Sequence, residues 1–430
     1  MPNQIITTSA TIGVAYNLGS DGGSVCLIAS GVRIVASTGA IYGYGNSQSM
    51  LVEGRIECYS DINAIQSYGN SSVIAIGDAA AVSIVSRDWS AAVYTSGDST
   101  VIDNAGIVRG GSGIYCNSIS ATIDNSGQIL ATGRGSLFFG EPAAAIRLSY
   151  IGVGVIDITN TGLIKGSLNT ALPAPNNLRI AIHDTNSDAG NIVNIDNSAR
   201  IVGAILLSNG VGTVLNSGRI TGKLDMGGGN DSVVNTGTLL RDVMLGDGND
   251  VLRGANGNVQ GNIYGGNGND LITSGLGDDV LFGGNGDDLL RGGAGDDVIY
   301  DGDGADVLRG GDGDDTLVAG TGKDLLLGGS GADDFLFQTT AGAGVGSGRD
   351  LIRDFRPGDD TIVLNKIDAN TALAGDQGFT FIQGGAFTRV AGQLRYSGGT
   401  LAGDINGDGA ADFQIQIFGA PALTERDIVL

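Results

Sequence analysis

The chain has few of the residue types on which most enzymes and helical proteins depend. Among its 430 residues are one histidine, one tryptophan, six prolines and three cysteines. Glutamate and lysine, both good helix formers, occur only four times each, whereas glycine occupies 76 positions. Aspartate and glycine, which dominate instead, are poor helix formers. The composition therefore disfavours a helical bundle or a doubly wound α/β fold and favours a turn-rich, all-β protein.

Positive charge is also scarce. Asp and Glu total 46 and Lys and Arg 23, which gives a net charge of −23 at pH 7. A chain of this charge repels phosphate backbones, so we expect no nucleic-acid partner. No apolar run reaches the ~18 residues of a spanning helix, and we expect no transmembrane segment. Residues 1–7 lack the basic and apolar regions of a Sec-type signal peptide.

The three cysteines, Cys26, Cys58 and Cys116, have no paired spacing and lie far apart in the sequence. That separation argues against a metal cluster, and the odd number argues against a disulfide framework. We predict that they are small buried apolar side chains.

Residues 1–225 contain a degenerate motif of an apolar residue, Asn, a small residue and Gly, which recurs once more just beyond them. Its asparagines are Asn104, Asn125, Asn160, Asn197, Asn216 and Asn235. The intervals between them are short, except for the two long ones on either side of Asn160. Each short interval predicts one rung of a parallel β-solenoid, with Val/Ile-rich strands stacked between rungs. Each long one indicates a rung with an insertion or two rungs with one motif lost. We expect Asn-x-Gly to form a corner with left-handed backbone.

Weaker echoes of the motif at 31–34 and 54–56 extend the solenoid towards the N-terminus. The segment 167–178 contains two prolines, Pro173 and Pro175, and is predicted to be a loop. The only histidine, His183, follows it and is interpreted as a loop residue.

Residues 226–338 contain a far more regular repeat. Eight consecutive nine-residue units run from Gly265 to Leu336, with Gly at positions 2 and 4, Asp at position 6 and a large apolar residue at position 8. Two looser units end at Asp231 and Asp250. Such a register is the signature of a repeat architecture in which each unit is one structural step.

Between Asp231 and Asp334 there are 20 aspartates and only five cations. Stacking these units brings carboxylates together at a repulsive cost, so the segment needs counter-charge. Calcium suits it because it accepts six to eight carboxylate and carbonyl oxygens, whereas magnesium demands stricter geometry. Zinc and copper would lack His or Cys ligands. The alternative, a merely solvated Asp/Gly turn array, needs no such register.

Every second unit lies on the same side of the stack, so Asp270 with Asp288, or Asp279 with Asp297, would flank one of several calcium ions. The predicted carboxylate ligands are Asp231, Asp250, Asp270, Asp279, Asp288, Asp297, Asp306, Asp315, Asp324 and Asp333. The predicted glycine positions are Gly266, Gly268, Gly275, Gly277, Gly284, Gly286, Gly293, Gly295, Gly302, Gly304, Gly311, Gly313, Gly320, Gly322, Gly329 and Gly331.

Residues 339–430 leave the nine-residue period and regain aromatic residues, which predicts a compact β cap on the open end of the stack. Within it, Asp404, Asn406, Asp408 and Asp412 match the start of an EF-hand loop, but position 12 is Ile415 instead of Glu. This segment is either a further calcium site or a cluster of β-turns.

Residues 226–338 resemble the β-roll of RTX (repeats-in-toxin) proteins, and residues 349–430 resemble the C-terminal domain of serralysin-type proteins. The second resemblance lies in the stretches 350–355, 391–396 and 403–413, and residues 426–430 resemble the tail read by type I secretion machinery. The N-terminal rungs resemble the stalks of bacterial adhesins and autotransporters. Together these resemblances imply a β-solenoid, a calcium-bound β-roll and a small β cap, secreted from a bacterium and folding on extracellular calcium.

A zinc protease of the serralysin type is excluded because its His-Glu-x-x-His motif needs two histidines. No catalytic or cofactor-binding residue is predicted. A polysaccharide lyase, hydrolase or epimerase on the solenoid stays the alternative, with candidates that no spacing singles out: Asp157, Asp184, Asp188, Asp196, Lys165 and Arg179.

We favour a non-enzymatic adhesin, surface-layer or matrix component. Its expected partners are the type I secretion machinery, further copies of itself, and a cell-surface glycan or lipopolysaccharide. Its expected location is extracellular or at the cell surface.

Overall fold

Strands, nearly all of them parallel, make up more than half of the residues that the structure describes. The computed structural model describes residues 4–6, 10–12, 16–17, 25–36, 40–59, 63–84, 90–132, 143–150, 152–168, 179–254 and 256–430. They fall into two units, Met1–Arg241 and Asp242–Leu430. In this described part, no helix is long and apolar enough to cross a membrane.

The first unit is a parallel β-solenoid with three strand columns, each pairing strands of successive rungs. The first column contains the C-terminal halves of Ala91–Asn104 and Ser112–Asn125, and the third contains their N-terminal halves. The other strands of the first column are Gln4–Ile6, Val25–Ile28, Gln48–Val52, Ser71–Ile76, Val155–Asn160, Ile192–Asn197, Val211–Asn216 and Ser232–Asn235. The second column comprises Ala10–Ile12, Arg33–Ala36, Arg55–Cys58, Ala81–Ile84, Ile107–Gly110, Gln128–Ala131, Leu163–Lys165, Arg200–Val202, Arg219–Ile220 and Thr238–Leu239. The other strands of the third are Tyr16–Asn17, Ile41–Gly43, Ile65–Ser67, Ile146–Leu148, Arg179–Asp184, Ala204–Leu206 and Leu224–Asp225.

The strand register decides how the long motif intervals arise. Asn125 pairs directly with Asn160, and Asn160 pairs directly with Asn197. Each long interval is therefore a single rung with an insertion. The weaker N-terminal echoes are also confirmed as neighbouring rungs, because Arg33 pairs with Arg55 and Ile34 with Ile56.

The motif asparagines form a buried ladder. The side-chain Nδ2 of Asn104 donates to Oδ1 of Asn125 at 2.8 Å. The same bond, at 2.7 Å, then joins Asn125 to Asn160, Asn160 to Asn197, Asn197 to Asn216 and Asn216 to Asn235. An amide carries both a donor and an acceptor. From Asn125 onward, each side-chain oxygen is therefore satisfied by the preceding asparagine, whereas Oδ1 of Asn104, at the start of the ladder, accepts no hydrogen bond.

The predicted left-handed corner is wrong. Neither the motif asparagines nor the glycines that follow them have positive φ. Those glycines are required by close approach instead, since a Cβ on Gly127 would lie 2.1 Å from the carbonyl oxygen of Gly106. On Gly237 it would lie 2.1 Å from the carbonyl oxygen of Gly218. The rungs are stacked too tightly there for a side chain.

Two local predictions in this unit need correction. Within the predicted loop 167–178, Ser167–Leu168 is a strand antiparallel to Arg179–Asp184, while 169–178 lies outside the described residues. His183 lies inside Arg179–Asp184, in register with Arg147 of the preceding rung, and is not a loop residue. For His183, pairing with a strand far away in the sequence decides the local structure. The cysteine prediction is confirmed, because all three are buried and none forms a disulfide.

The second unit is a two-column parallel β-roll. One column comprises Val243–Asp247, Ile263–Asn267, Val280–Asn285, Val298–Gly304, Thr316–Ala319, Thr321–Gly322, Asp334–Phe337, Thr361–Val363 and Ile428–Val429. The other comprises Val251–Arg253, Leu271–Leu276, Leu289–Ala294, Val307–Asp312, Leu325–Ser330, Asp350–Ile352 and Phe413–Ile417. Within the repeats, neighbours in a column come from every second unit, as in the pairing of Leu281 with Ile299. The position 8 residues are fully buried between the columns: Ile272, Leu281, Leu290, Ile299, Leu308, Leu317, Leu326 and Phe335.

The C-terminal part continues both columns. Asp350–Ile352 and Thr361–Val363 pair in parallel with the last two repeat strands, Leu325–Ser330 and Asp334–Phe337. An antiparallel meander of Gln393–Ser397, Thr400–Asp404 and Phe413–Ile417 packs at this end, with the short strands Asn258–Val259 and Thr380–Phe381 elsewhere in the unit. Two 3-10 helices, Gly346–Gly348 and Glu425–Asp427, complete the described elements.

Candidate metal centre

The glycines of the repeats permit turns that other residues cannot form. Gly266 and Gly268 have φ of 123° and 118°, and a Cβ on either would clash with the carbonyl oxygen of the rung before, at 2.0 and 1.9 Å. Positive φ recurs at every predicted glycine position except Gly320. The turns therefore stack backbone on backbone, which places the aspartates that follow them in register.

The position 6 aspartates form two buried ladders. In each step, the backbone N–H of one aspartate donates to Oδ1 of the aspartate in the next rung of its column, at 2.7–3.2 Å. One ladder contains Asp250, Asp270, Asp288, Asp306, Asp324 and Asp350. The other contains Asp279, Asp297, Asp315, Asp333 and Asp360. The predicted pairs Asp270–Asp288 and Asp279–Asp297 are thus brought together.

Along most of their length, these ladders leave carboxylate oxygens without a hydrogen-bond donor from the protein. The residues whose buried Oδ2 atoms have no protein partner include Asp270, Asp288, Asp297, Asp306, Asp315, Asp324 and Asp350. Carboxylates are acceptors only, so they cannot satisfy one another as amides do. A row of buried, unpaired carboxylate oxygens requires protons or cations.

Burial raises the pKa of these carboxyls well above the usual value for aspartate. The pKa is raised to about 7 at Asp270, Asp288, Asp297 and Asp315, and to about 6 at Asp279, Asp306 and Asp324. Removal from water is the main cause, while N–H donors or a hydroxyl partly oppose it. Without a cation, burial therefore makes ionisation of the ladder carboxyls less favourable than in water, and those with a pKa of about 7 stay partly protonated at neutral pH.

The end of one ladder shows what the free oxygens accept. The Nη2 of Arg356 lies 3.4 Å from both Asp333 Oδ2 and Asp360 Oδ1, and 2.5 Å from the carbonyl oxygen of Gly331. Two carboxylates and the carbonyl of a position 4 glycine therefore converge on one positive group. Position 6 aspartates and position 4 glycines recur in register in the rungs before it, where calcium would meet the hard oxygen ligands it prefers.

The residues present therefore fit calcium. The position 6 carboxylates would hold the ions together with turn carbonyls, and the ions would neutralise the ladder. The choice among cations follows from the donor set, which contains oxygen alone.

Three carboxylates in or beside the ladders escaped the sequence prediction. Asp350 and Asp360 extend the two ladders beyond the last nonapeptide, and Asp301 occupies position 1 of its repeat, where five other repeats have glycine. The first two carry a signal that could have found them, because 350–352 and 360–362 repeat the Asp-x-apolar pattern of positions 6 to 8. Asp301 was missed because the repeat pattern assigns no ligand to position 1.

The outlying predicted ligands differ from the ladders. Asp231 is buried in the first unit, where its Oδ1 accepts from the N–H of Gly212 at 2.6 Å. In the cap, Asp404 accepts from the N–H groups of Gly407 and Gly409 through its two oxygens, and both oxygens of Asp412 are also occupied. The hydrogen bonds of Asp404 and Asp412 are those of a cluster of β-turns, which was the alternative to a calcium site for this segment. A calcium site there stays a prediction.

Comparison with known proteins places the ladders in a known repeat. The profile of the RTX calcium-binding nonapeptide repeat (4 copies) matches residues 243–260, 264–299, 282–317 and 300–335. No curated protein matches the chain. Among solved structures, the AlgE6R3 subunit from the Azotobacter vinelandii mannuronan C5-epimerase is similar at 28% identity, over 36% of this chain and 78% of that one, with a TM-score of 0.23. Residues 243–335 are RTX calcium-binding nonapeptide repeats.

Proposed function

We propose that the protein is a secreted, non-enzymatic component of a bacterial cell surface or extracellular matrix, whose second unit folds on calcium outside the cell. The observation that carries the proposal is the buried row of aspartates with unpaired oxygens. At submicromolar cytosolic calcium such a row stays uncompensated, whereas millimolar extracellular calcium converts ion binding into folding free energy. The chain would leave the cell threadable and gain its shape afterwards.

The docking of the C-terminal tail supports this order of events. Ile428–Val429 pairs with Thr361–Val363, and Ile428 and Asp427 are buried. Asp427 and Ile428 are thus covered once the second unit folds, whereas Arg426 and Val429 stay exposed. Recognition of residues 426–430 by type I secretion machinery would therefore precede folding.

The candidate catalytic acids of the solenoid accept hydrogen bonds that stabilise the fold. This favours a solenoid that binds a partner over one that catalyses a reaction. Asp184 is buried and accepts from the N–H of Asn186 and the hydroxyl of Ser208. Asp188 accepts from the N–H of Gly152, and exposed Asp157 accepts from the amide of Asn194. Each ties one segment to its neighbour. Of the candidate cations, Arg179 donates to the carbonyl of Gly166 at 2.8 Å.

An aromatic strip offers a contact surface on the same unit. Tyr44, Tyr68, Tyr94 and Tyr115, here called the tyrosine strip, follow one another at 5.1, 5.6 and 5.3 Å between ring centroids, and Arg147 lies over Tyr115. Tyr44 is 51% exposed and Tyr68 is 39% exposed. Tyrosine and arginine are enriched at contact surfaces because they combine apolar area with polar tips.

The proposal is tested by washing intact cells with a chelator. Release of the protein together with a surface layer, or with loss of adhesion, is the expected result. The double variant Tyr44→Ala/Tyr68→Ala should fold on calcium but fail to reattach to stripped cells, while Tyr59→Ala, an exposed tyrosine outside the strip, should reattach like the wild type.

Two results would contradict the proposal. Depolymerisation or epimerisation of a glycan by the purified protein would support the enzymatic alternative. Retention of the protein on chelator-washed cells would show that its attachment to the cell surface does not depend on calcium.

A further inference from the structure

One repeat carries a carboxylate that the others lack. Position 1 is Gly in five repeats, Ser274 or Ala319 in two more, and Asp301 in the repeat 301–309. A Cβ at this position points at the ladder, since one on Gly292 would lie 2.1 Å from Asp297 Oδ2 and one on Gly310 would lie 2.2 Å from Asp315 Oδ2. An acidic side chain here therefore adds charge beside the unpaired oxygens.

Asp301 makes a cluster with two ladder residues. Oxygens of Asp301, Asp306 and Asp324 all lie within 4.8 Å of one another, the only such group of three that the described residues contain. Calcium binds oxygen at 2.3–2.6 Å, so two ligands of one ion are separated by at most about 5 Å. The three carboxylates meet that limit together.

The carboxylates of the cluster are buried, and each has an oxygen without a donor. Asp301, Asp306 and Asp324 are 1%, 1% and 2% exposed, and the Oδ2 of each has no protein partner. Asp301 is held in place through its other oxygen, since Oδ1 accepts from the N–H groups of Gly302 and Gly320 at 2.7 and 2.5 Å. That restraint leaves Oδ2 available to a ligand. Asp301 is thus fixed where it makes the first ladder locally richer in negative charge.

We propose that Asp301, Asp306 and Asp324 form a calcium site distinct from the regular rungs, with three carboxylates on one ion, which fills first as calcium rises. Affinity of oxygen sites for calcium increases with the number of charged ligands. A regular rung supplies carboxylates from position 6 alone, whereas this site has one more from position 1. The inference rests on the calcium dependence proposed above and adds an order in which the ions bind.

The test compares the wild-type full chain with Asp301→Gly, which restores the residue of five other repeats, and Asp301→Asn, which removes only the charge. The affinity of the tightest site is measured by competition with a fluorescent chelator, and circular dichroism at saturating calcium verifies that each variant folds. Both variants should weaken the tightest site about tenfold or more. Asp312→Asn, an exposed charge change in the next repeat, should bind within about twofold of the wild type.

Wild-type affinity of the tightest site in both folded Asp301 variants would overturn the inference and leave the calcium-dependent fold intact. A wild-type chain that binds no calcium would overturn both. If Asp301→Gly failed to fold, the binding curve of Asp301→Asn would decide.

Discussion

Both units contain buried ladders of polar side chains, asparagines in the solenoid and aspartates in the roll. The two side chains differ only in that asparagine has an NH₂ group where aspartate has a second oxygen. In the solenoid, each Asn from Asn104 to Asn216 donates Nδ2 to the Oδ1 of the next, so each acceptor oxygen after the first is satisfied within the column. In the roll, ladder residues such as Asp288 accept from a backbone N–H of the rung before and leave Oδ2 unpaired. Replacement of an NH₂ group by an oxygen therefore separates a stack that is satisfied by itself from one that requires cations.

The largest expected effect is that a calcium chelator unfolds the roll and leaves the solenoid folded. Without calcium, like-charge repulsion and burial oppose the folded roll, whereas the asparagine ladder is unaffected. Hydrogen exchange should show full loss of protection for amides in 263–335 and retained protection in 179–239. Equal protection of both segments in metal-free buffer would erase the distinction between the ladders.

Acid should substitute for calcium. Burial raises the pKa of Asp270, Asp288, Asp297 and Asp315 to about 7, above the unfolded value of about 4. The folded roll then binds protons more tightly than the unfolded chain, so its stability is greatest below about pH 4 and is lost as pH rises through about 7. The metal-free chain should gain far-UV β signal from pH 7.5 to pH 4.5.

In saturating calcium the trend should reverse, because protons compete with the ions for the same oxygens. Acid unfolding of the metal-free roll between these pH values would refute the assignment of the buried carboxyls as the cause.

Asn160→Asp would place the chemistry of the roll inside the solenoid. The variant loses the amide donor to Asn197 and buries a charge with no compensating group. We expect a loss of about 3–5 kcal/mol in the free energy of unfolding of the calcium-independent transition in urea. Asn209→Asp, at a position outside the asparagine ladder, should change it by less than about 0.5 kcal/mol. Similar midpoints for both variants would mean that the asparagine column contributes little.

The smallest effect concerns the packing of the rungs. Gly127→Ala places a methyl group against the carbonyl of Gly106 and should cost about 1–3 kcal/mol. Gly348→Ala, where the added Cβ meets nothing within 4 Å, serves as the control and should be near neutral. Thermal unfolding of both variants in saturating calcium measures the difference, and an unchanged transition for Gly127→Ala would show that the rungs can separate.

Much of this architecture was predictable from the sequence because both repeats are periodic. The pairing of every second nonapeptide, which joins Asp270 to Asp288, follows directly from counting positions in the repeat. The motif asparagines were found by the same means, but their role was misassigned, since a local pattern cannot distinguish a backbone corner from a close approach between rungs. Asp350 and Asp360 were missed because the intervening loops break the count, although the local Asp-x-apolar pattern persists.

Asp301 shows the limit most clearly. Periodic reasoning selects residues that obey a repeat, and Asp301 matters because it does not. Only the fold reveals that position 1 points at the ladder of its own repeat. Similarly, the placement of His183 in a strand followed from pairing with Arg147 of the preceding rung, which no local window contains.

The alternation of two columns has a consequence for how the repeat block can change length. Because successive units feed opposite columns, loss of one nonapeptide would shift every later aspartate to the other side and connect Asp350 and Asp360 to the wrong ladders. Loss or gain of two nonapeptides keeps every later aspartate in its own column. Relatives of this roll should therefore gain or lose nonapeptides in pairs, and an odd number of units would require a compensating change in the loop before Asp350.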